Sequence, residues 1–259
     1  PPGSRPSALY LLSIMFLGIS SDAWVYIFIG VLILVGTITQ GSIGFGLGTI
    51  ATPIIALLRP DLVPTLILLL ALCISIYTLA RTYRETSWRL VGISVIARIP
   101  GSFAGAWAIA SLSHDGLSIF IGCAVLLAMS LSSLGWSPEP TRRNTVLAGL
   151  TSGFLGTSTS IGGPPMALIM KRFDPQRTRG SLAGTFVIGT VMSLIILGFN
   201  GQVTQPQVYA AAAYSPLVVV GLFIANYLNH FIDTKRLNRI VTVVAITAAL
   251  ALIGQVLFF

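Results

Sequence analysis

Charge is what this chain lacks most. Of 259 residues only 15 are Lys or Arg and 7 are Asp or Glu, 8% together, about a third of the usage in a soluble domain. Hydrophobic residues make up 54% and mean hydropathy is +0.90. A soluble fold of this size could not hide so much apolar surface from water, which excludes that class, and the same numbers exclude disorder. Cysteine and histidine number two each. Cys73 and Cys123 sit inside apolar runs and His114 and His230 at segment ends, so no disulfide, redox pair, metal cluster or other cofactor is suggested. The seven acids, Asp22, Asp61, Glu85, Asp115, Glu139, Asp174 and Asp233, all fall at segment ends or in loops. That leaves no carboxylate at mid-depth for proton relay or aspartyl chemistry. No Walker A pattern is present, which argues against ATP hydrolysis by this chain. The start at Pro1-Pro2-Gly3-Ser4 carries no Met and no cleavable signal pattern.

What is present is a succession of apolar segments at 8–20, 23–40, 43–58, 62–80, 90–110, 116–134, 144–157, 160–170, 180–199, 208–228 and 238–259. At about 20 residues per crossing, they predict an all-α polytopic membrane protein with eight to ten transmembrane segments. The first segment is too short to span and reads as an interfacial or packed N-terminal helix within a 1–21 tail. The net charge of +8 does not call for nucleic acid, because 12 of the 15 basic residues fall in the loops 81–89, 135–143, 171–179 and 229–239. Lys and Arg concentrate in cytoplasmic loops of membrane proteins. These loops are therefore placed on the cytoplasmic face of a multi-pass protein of the inner membrane.

Two basic loops, 135–143 and 171–179, then lie on one face, so 144–170 must enter the bilayer and return. Its 27 residues suit two short helices meeting at a tip inside the membrane, an irregularity tolerated only where it is buried in protein or lines a cavity. The break is expected at 157–165. A similar Gly/Ser/Thr interruption separates 23–40 from 43–58, and Pro53 and Pro164-Pro165 are expected near the first turn of each restarting helix.

The two interruptions form a repeat. Thr39-Gln40-Gly41-Ser42-Ile43-Gly44 with Pro53, and Thr151-Ser152-Gly153-Phe154-Leu155-Gly156 with Pro165, match at a constant offset of 112. Pro100 with Gly105 and Pro216 with Gly221 match at 116. Corresponding loops carry opposite charge character, so the repeat is expected to be inverted: 22–134 as the first membrane repeat, 135–143 as the linker, and 144–259 as the second. Transporters use this arrangement, with broken helices of the two halves meeting near mid-depth.

The run Gly41-Ser-Ile-Gly-Phe-Gly-Leu-Gly-Thr-Ile-Ala-Thr-Pro53 resembles the first-half signature of the sulfite exporter TauE/SafE family. Gly153-Phe-Leu-Gly-Thr-Ser-Thr-Ser-Ile-Gly-Gly-Pro-Pro165 resembles its second-half signature, and Pro100-Gly-Ser-Phe-Ala-Gly105 also fits. The resemblance covers about 23–259. It implies an integral membrane exporter of sulfite, sulfonates or related sulfur-containing anions.

An anion needs donors. Arg98 lies nine residues beyond Arg89, roughly 13 Å deeper along a helix, close to the middle of the bilayer. Its planar fork suits the oxygens of a sulfite or sulfonate; the alternative is a structural Arg bonded to carbonyls of a broken helix. Helix N-termini at the breaks add N–H groups and partial positive charge. The expected substrate-binding set is Arg98, Gln40, Gly41, Ser42, Gly44, Thr49, Pro53, Thr157, Ser158, Thr159, Ser160, Gly162, Gly163, Pro165 and Tyr214. Tyr214 enters as the near counterpart of Arg98, each two residues before a repeated Pro. For the glycines, tight helix packing is an equal alternative.

The expected function is a secondary transporter exporting a small sulfur-containing anion by alternating access. An anion channel or membrane partner subunit is the alternative, and an intramembrane enzyme a distant third. The expected partners are the anion and the lipid bilayer, with a homodimer left open.

Overall fold

The computed structural model describes residues 21–133, 137–228 and 234–258. The expected N-terminal helix lies outside them. The described residues are mostly helical and contain no strands. In chain order they form α1 (Ser21–Ile43), α2 (Leu47–Leu58), a short 3₁₀ turn (Pro60–Leu62), α3 (Thr65–Thr82), α4 (Trp88–Ser111), α5 (His114–Ser133), α6 (Arg142–Thr159), α7 (Gly163–Ile169), α8 (Pro175–Phe199), α9 (Gln205–Leu228) and α10 (Thr234–Phe258). Six stretches are long and apolar enough to cross a membrane: Ala23–Ile43, Thr65–Thr82, Trp88–Ser111, Pro175–Phe199, Gln205–Leu228 and Arg236–Leu257. Leu47–Leu58 and Asp115–Ser130 are shorter apolar helices. The segments around the two breaks divide into arms of unequal length, α1 with α2 and α6 with α7.

Side-chain placement at the surface departs from the rule for water-soluble proteins. Trp107 is 72% exposed and Phe199 90%, whereas Arg98 is 1% exposed and is the largest of the fully buried side chains. Among the described residues, Thr37, Gln40, Ser94, Ser152, Thr157 and Thr185 are also buried. The core itself is apolar, around residues such as Ile29, Ile33, Leu66 and Ile67, but an apolar exterior with the mid-helix Arg98 and many hydroxyls turned inward is the distribution that a hydrocarbon solvent selects.

Local sequence explains where the helices start and stop. The Asp174 carboxylate accepts from the Arg177 N–H (2.9 Å) at the head of α8, with Pro175 in the first turn. Thr141 caps α6 by accepting from the Asn144 N–H (3.3 Å). Asp174→Ala is expected to lower stability by about 1 kcal/mol, read as an earlier melting transition of the purified protein in detergent. α1 and α2 are separated by Gly44 and Gly46, whose φ of 90° and 145° are accessible to glycine and costly for other residues. α6 ends on Ser160 in the left-handed region (φ 61°).

The breaks thus fall at 44–46 and 160–162 rather than across the whole Gly/Ser/Thr runs, and Gln40 to Ile43 stay helical. Pro53 sits inside α2, not in its first turn. Pro164 and Pro165 do open α7, as expected.

Packing follows a pairwise scheme. α4 lies along α6 and α9 along α1; α3 crosses α8; α10 packs on α5 and α2, and α5 on α7. The basic connections gather at one end. There Arg177 Nη2 approaches Ser87 Oγ (3.5 Å), Arg172 pairs with Glu139 (3.1 Å) and the Ser87 N–H donates to Ser181 Oγ (3.0 Å). At the opposite end Thr65 Oγ1 donates to the Gln202 carbonyl (3.4 Å) and Gln207 Nε2 to the Asp61 carbonyl (2.8 Å). Arg59 at that end is bound to Asp61 (2.9 Å) and Tyr26 (2.6 Å), and these hydrogen bonds hold its guanidinium above the usual Arg range.

Candidate functional site

The two breaks meet. A Cβ on Gly48, in the first turn of α2, would overlap the Ser160 carbonyl oxygen. A Cβ on Gly163 would sit 2.5 Å from Phe45 Cβ. Each tip also rests on the head of a long helix from the other half of the chain: Gly44 packs against Arg179 and Leu182 of α8, and Ser160 Oγ donates to the Pro64 carbonyl at the head of α3 (2.9 Å).

Between the tips lies a cavity of about 30 Å³. Its walls come from both breaks and from the α3 and α8 crossing. Gln40, Phe45, Gly46, Gly48 and Thr49 stand on one side, Gly156, Ser160, Gly162 and Gly163 on the other, with Leu68, Ala71, Phe186 and Thr190 between them and Arg98 at the edge. No carboxylate is among these lining residues. The N-terminus of α2 faces the cavity without a side-chain cap, so its first N–H groups have no intrahelical partner.

Arg98 is held by a relay. Its Nη1 donates to Ser152 Oγ (2.7 Å), and Ser152 Oγ donates to the Gly162 carbonyl in the second break (2.6 Å). Its Nε is buried without a hydrogen-bond partner. The guanidinium passes through a slot that two glycines leave open: a Cβ on Gly156 would stand 2.9 Å from Nη2, and one on Gly189 2.7 Å from Cζ. A buried cation with an unused donor and no lining carboxylate is an arrangement that an incoming anion completes.

Of the expected site residues, Arg98, Gln40, Thr49, Ser160, Gly162 and Gly163 border this cavity. The others are placed elsewhere. Gly41 packs on Ala225 and Leu222 of α9. Ser42 Oγ is buried without a partner, and Gly44 lies against α8. Thr157 is bonded to Ser193 (2.7 Å), Ser158 to the Phe154 carbonyl (2.6 Å) and Thr159 to the Leu155 carbonyl (2.7 Å). These three hydroxyls are committed within the protein: Ser158 and Thr159 bond the carbonyl four residues back, as helical Ser and Thr readily do, and Thr157 bonds across to α8. Pro53 and Pro165 are buried helix residues that do not line the cavity. Tyr214 does not share the Arg98 environment: its hydroxyl donates to the Tyr26 carbonyl (2.9 Å) and its ring packs on Gly30.

Several residues of the cavity and of the Arg98 slot were not expected. Gly156, which lines the cavity, and Ser152, which holds Arg98, belong to the repeat motif, and Phe45 to the first signature run, but none carried a ligand signal of its own. Phe186 and Thr190 on the cavity wall and Gly189 against Arg98 read as ordinary residues of apolar helices.

The family model described as Sulfite exporter TauE/SafE matches residues 27–252 of the chain. No curated protein and no solved structure matches.

Proposed function

From the premise that this chain belongs to the sulfite exporter TauE/SafE family, we propose that it carries a small sulfur-containing anion (sulfite, sulfoacetate or another organosulfonate) out across the inner membrane by alternating access. The carrying observation is the buried Arg98 guanidinium, with its free Nε, beside a cavity lined by both helix breaks and no acid. Guanidinium and sulfonate oxygens match in geometry and charge. The uncapped head of α2 adds neutral donors on the opposite wall.

The halves 22–134 and 144–259 act as inverted repeats around the linker 135–143. The packing supports this reading: α4 on α6 corresponds to α9 on α1, α5 on α7 to α10 on α2, and α3 crosses its own counterpart α8. The end that gathers the basic connections faces the cytoplasm. At about 30 Å³ the cavity holds only about two waters, less than the four heavy atoms of a sulfite ion. Binding therefore requires the tips, now in contact at Gly48 and Ser160, to slide apart, and a cavity this tight favours a carrier over an open channel.

Membrane potential supplies the driving force. The described carboxylates Asp61, Glu85, Asp115, Glu139 and Asp174 lie in connections or terminal turns, so no acid is placed to carry a proton past Arg98. An exported charge gains about 2.3 kcal/mol per 100 mV, roughly a 50-fold bias. In proteoliposomes, an imposed potential of about 100 mV is expected to drive sulfite accumulation approaching that bias at equal pH on the two sides. Accumulation driven by a pH gradient and indifferent to potential would instead select proton coupling.

A further inference from the structure

A second, larger cavity opens at the basic end. Its volume is about 570 Å³ and it lies between α1, α3, α8 and α9. Arg81 and Arg179 line it, with Tyr77, Thr78, Gln176 and Asn226 among its polar walls and no carboxylate. Arg179 is half-buried and its Nε is buried without a hydrogen-bond partner. Tyr77 is bound on both sides: Arg81 Nη1 donates to its hydroxyl (2.9 Å), and so does the Asn226 amide. A phenol oxygen that accepts twice still has its own proton to donate. Asp174, the acid at the head of α8, is engaged as the helix cap. Arg179 ties this cavity to the first helix break: Gly44 packs on Arg179, and the next two residues, Phe45 and Gly46, line the Arg98 cavity.

We propose that this vestibule is a separate capture site for sulfonate and sulfite-type oxyanions, in which Arg179 and Arg81 hold the anion one hairpin tip away from Arg98. The proposal rests on the export reading for its place in the transport path, but not for its chemistry. Two guanidinium groups in a recess without acids raise the local concentration of anions whether or not the chain transports them. The hairpin tip is then the partition between a wide outer site and a tight inner one.

The test uses the whole protein in detergent, with Cys73 and Cys123 replaced by Ala and Thr78→Cys as the reporter. Two thiol reagents are compared, 2-sulfonatoethyl methanethiosulfonate and its trimethylammonium analogue, each rate being divided by that with a free thiol. The sulfonate reagent is expected to react at least about tenfold faster. Arg179→Gln is expected to abolish that preference and Arg179→Lys to retain most of it. Arg81→Gln, a second variant in case Arg179→Gln does not fold, is expected to reduce it. Equal normalised rates in the parent, or a preference untouched by neutralising either arginine, would overturn the proposal. Sulfite flux through the unsubstituted protein is measured alongside. Flux without the charge preference removes the vestibule and leaves the exporter; the preference without flux keeps an anion vestibule and removes the exporter.

Discussion

Arg98→Ala is expected to abolish sulfite flux and sulfite binding while the protein remains folded. The guanidinium is 1% exposed, spends one nitrogen on Ser152 and leaves Nε unpartnered. A hydrogen bond to a charged group contributes about 1.5–3 kcal/mol, so losing a two-pronged grip on an oxyanion lowers affinity roughly 100- to 10,000-fold. Stability should move much less. Truncating one partner of a buried ion pair strands a charge, but here the cation itself goes, and Ser152 keeps the Gly162 carbonyl as its acceptor. Arg98→Met fills most of the vacated volume without charge and separates the loss of a ligand from the creation of a hole. Arg98→Lys keeps the charge but loses the planar fork, and should recover part of the binding. Thermal-shift titration with sulfite and flux in proteoliposomes read the two effects separately. Wild-type flux in Arg98→Met would show that the arginine is only a structural strut.

Arg98 was legible because a lone charge in an apolar run stands out against its surroundings. The second hairpin was legible for a different reason: two basic loops on one face left too few residues between them for two crossings, and α6 and α7 do turn back at 160–162. The first break was read a few residues early. Gln40, Gly41, Ser42 and Ile43 weaken a helix but do not end one, whereas the backbone at Gly44 and Gly46 does, and a φ is not written in composition. The hydroxyls of the second break divide. Thr157, Ser158 and Thr159 have the right chemistry for an anion, but in a helix such groups find partners inside the protein, and of this run only Ser160, beyond the helix end, reaches the cavity wall, opposite Thr49 of the first break. Gly189 was invisible, because a glycine that makes room for a guanidinium from another helix looks like any other small residue. Repeat arithmetic paired Tyr214 with Arg98, but equal spacing to a proline does not impose an equal side-chain environment, and Tyr214 bonds to the Tyr26 carbonyl instead.

The glycines of the α4–α6 contact carry the other large effect. Gly101 and Gly105 of α4 pack on Leu150 and Phe154 of α6, and Gly149 and Gly153 of α6 on Ser94 and Arg98 of α4, each pair spaced by four. A Cβ on Gly105 would lie 2.5 Å from the Phe154 carbonyl oxygen, one on Gly149 2.6 Å from that of Ser94, and one on Gly153 2.5 Å from that of Arg98. The obstacles are backbone atoms, which cannot rotate away, so even one methyl must push the two helices apart. Without a hydrophobic drive between helices in lipid, close packing is what holds them together, and separation weakens dispersion along the whole contact. Gly153→Ala is therefore expected to destabilise the protein by about 1–3 kcal/mol and, because it bears on the Arg98 backbone, to lower sulfite flux as well. Gly153→Leu should prevent assembly. Gly92 is the internal control: it lies on α4, exposed, with nothing within 4 Å of a Cβ. There the same Gly→Ala change only removes a poor helix former and should stabilise by up to about 1 kcal/mol. Two identical substitutions, one at each end of the α4 contact scale, are thus expected to move the melting temperature in opposite directions. Shifts of equal sign and size would mean that close backbone approach between α4 and α6 does not hold the fold together.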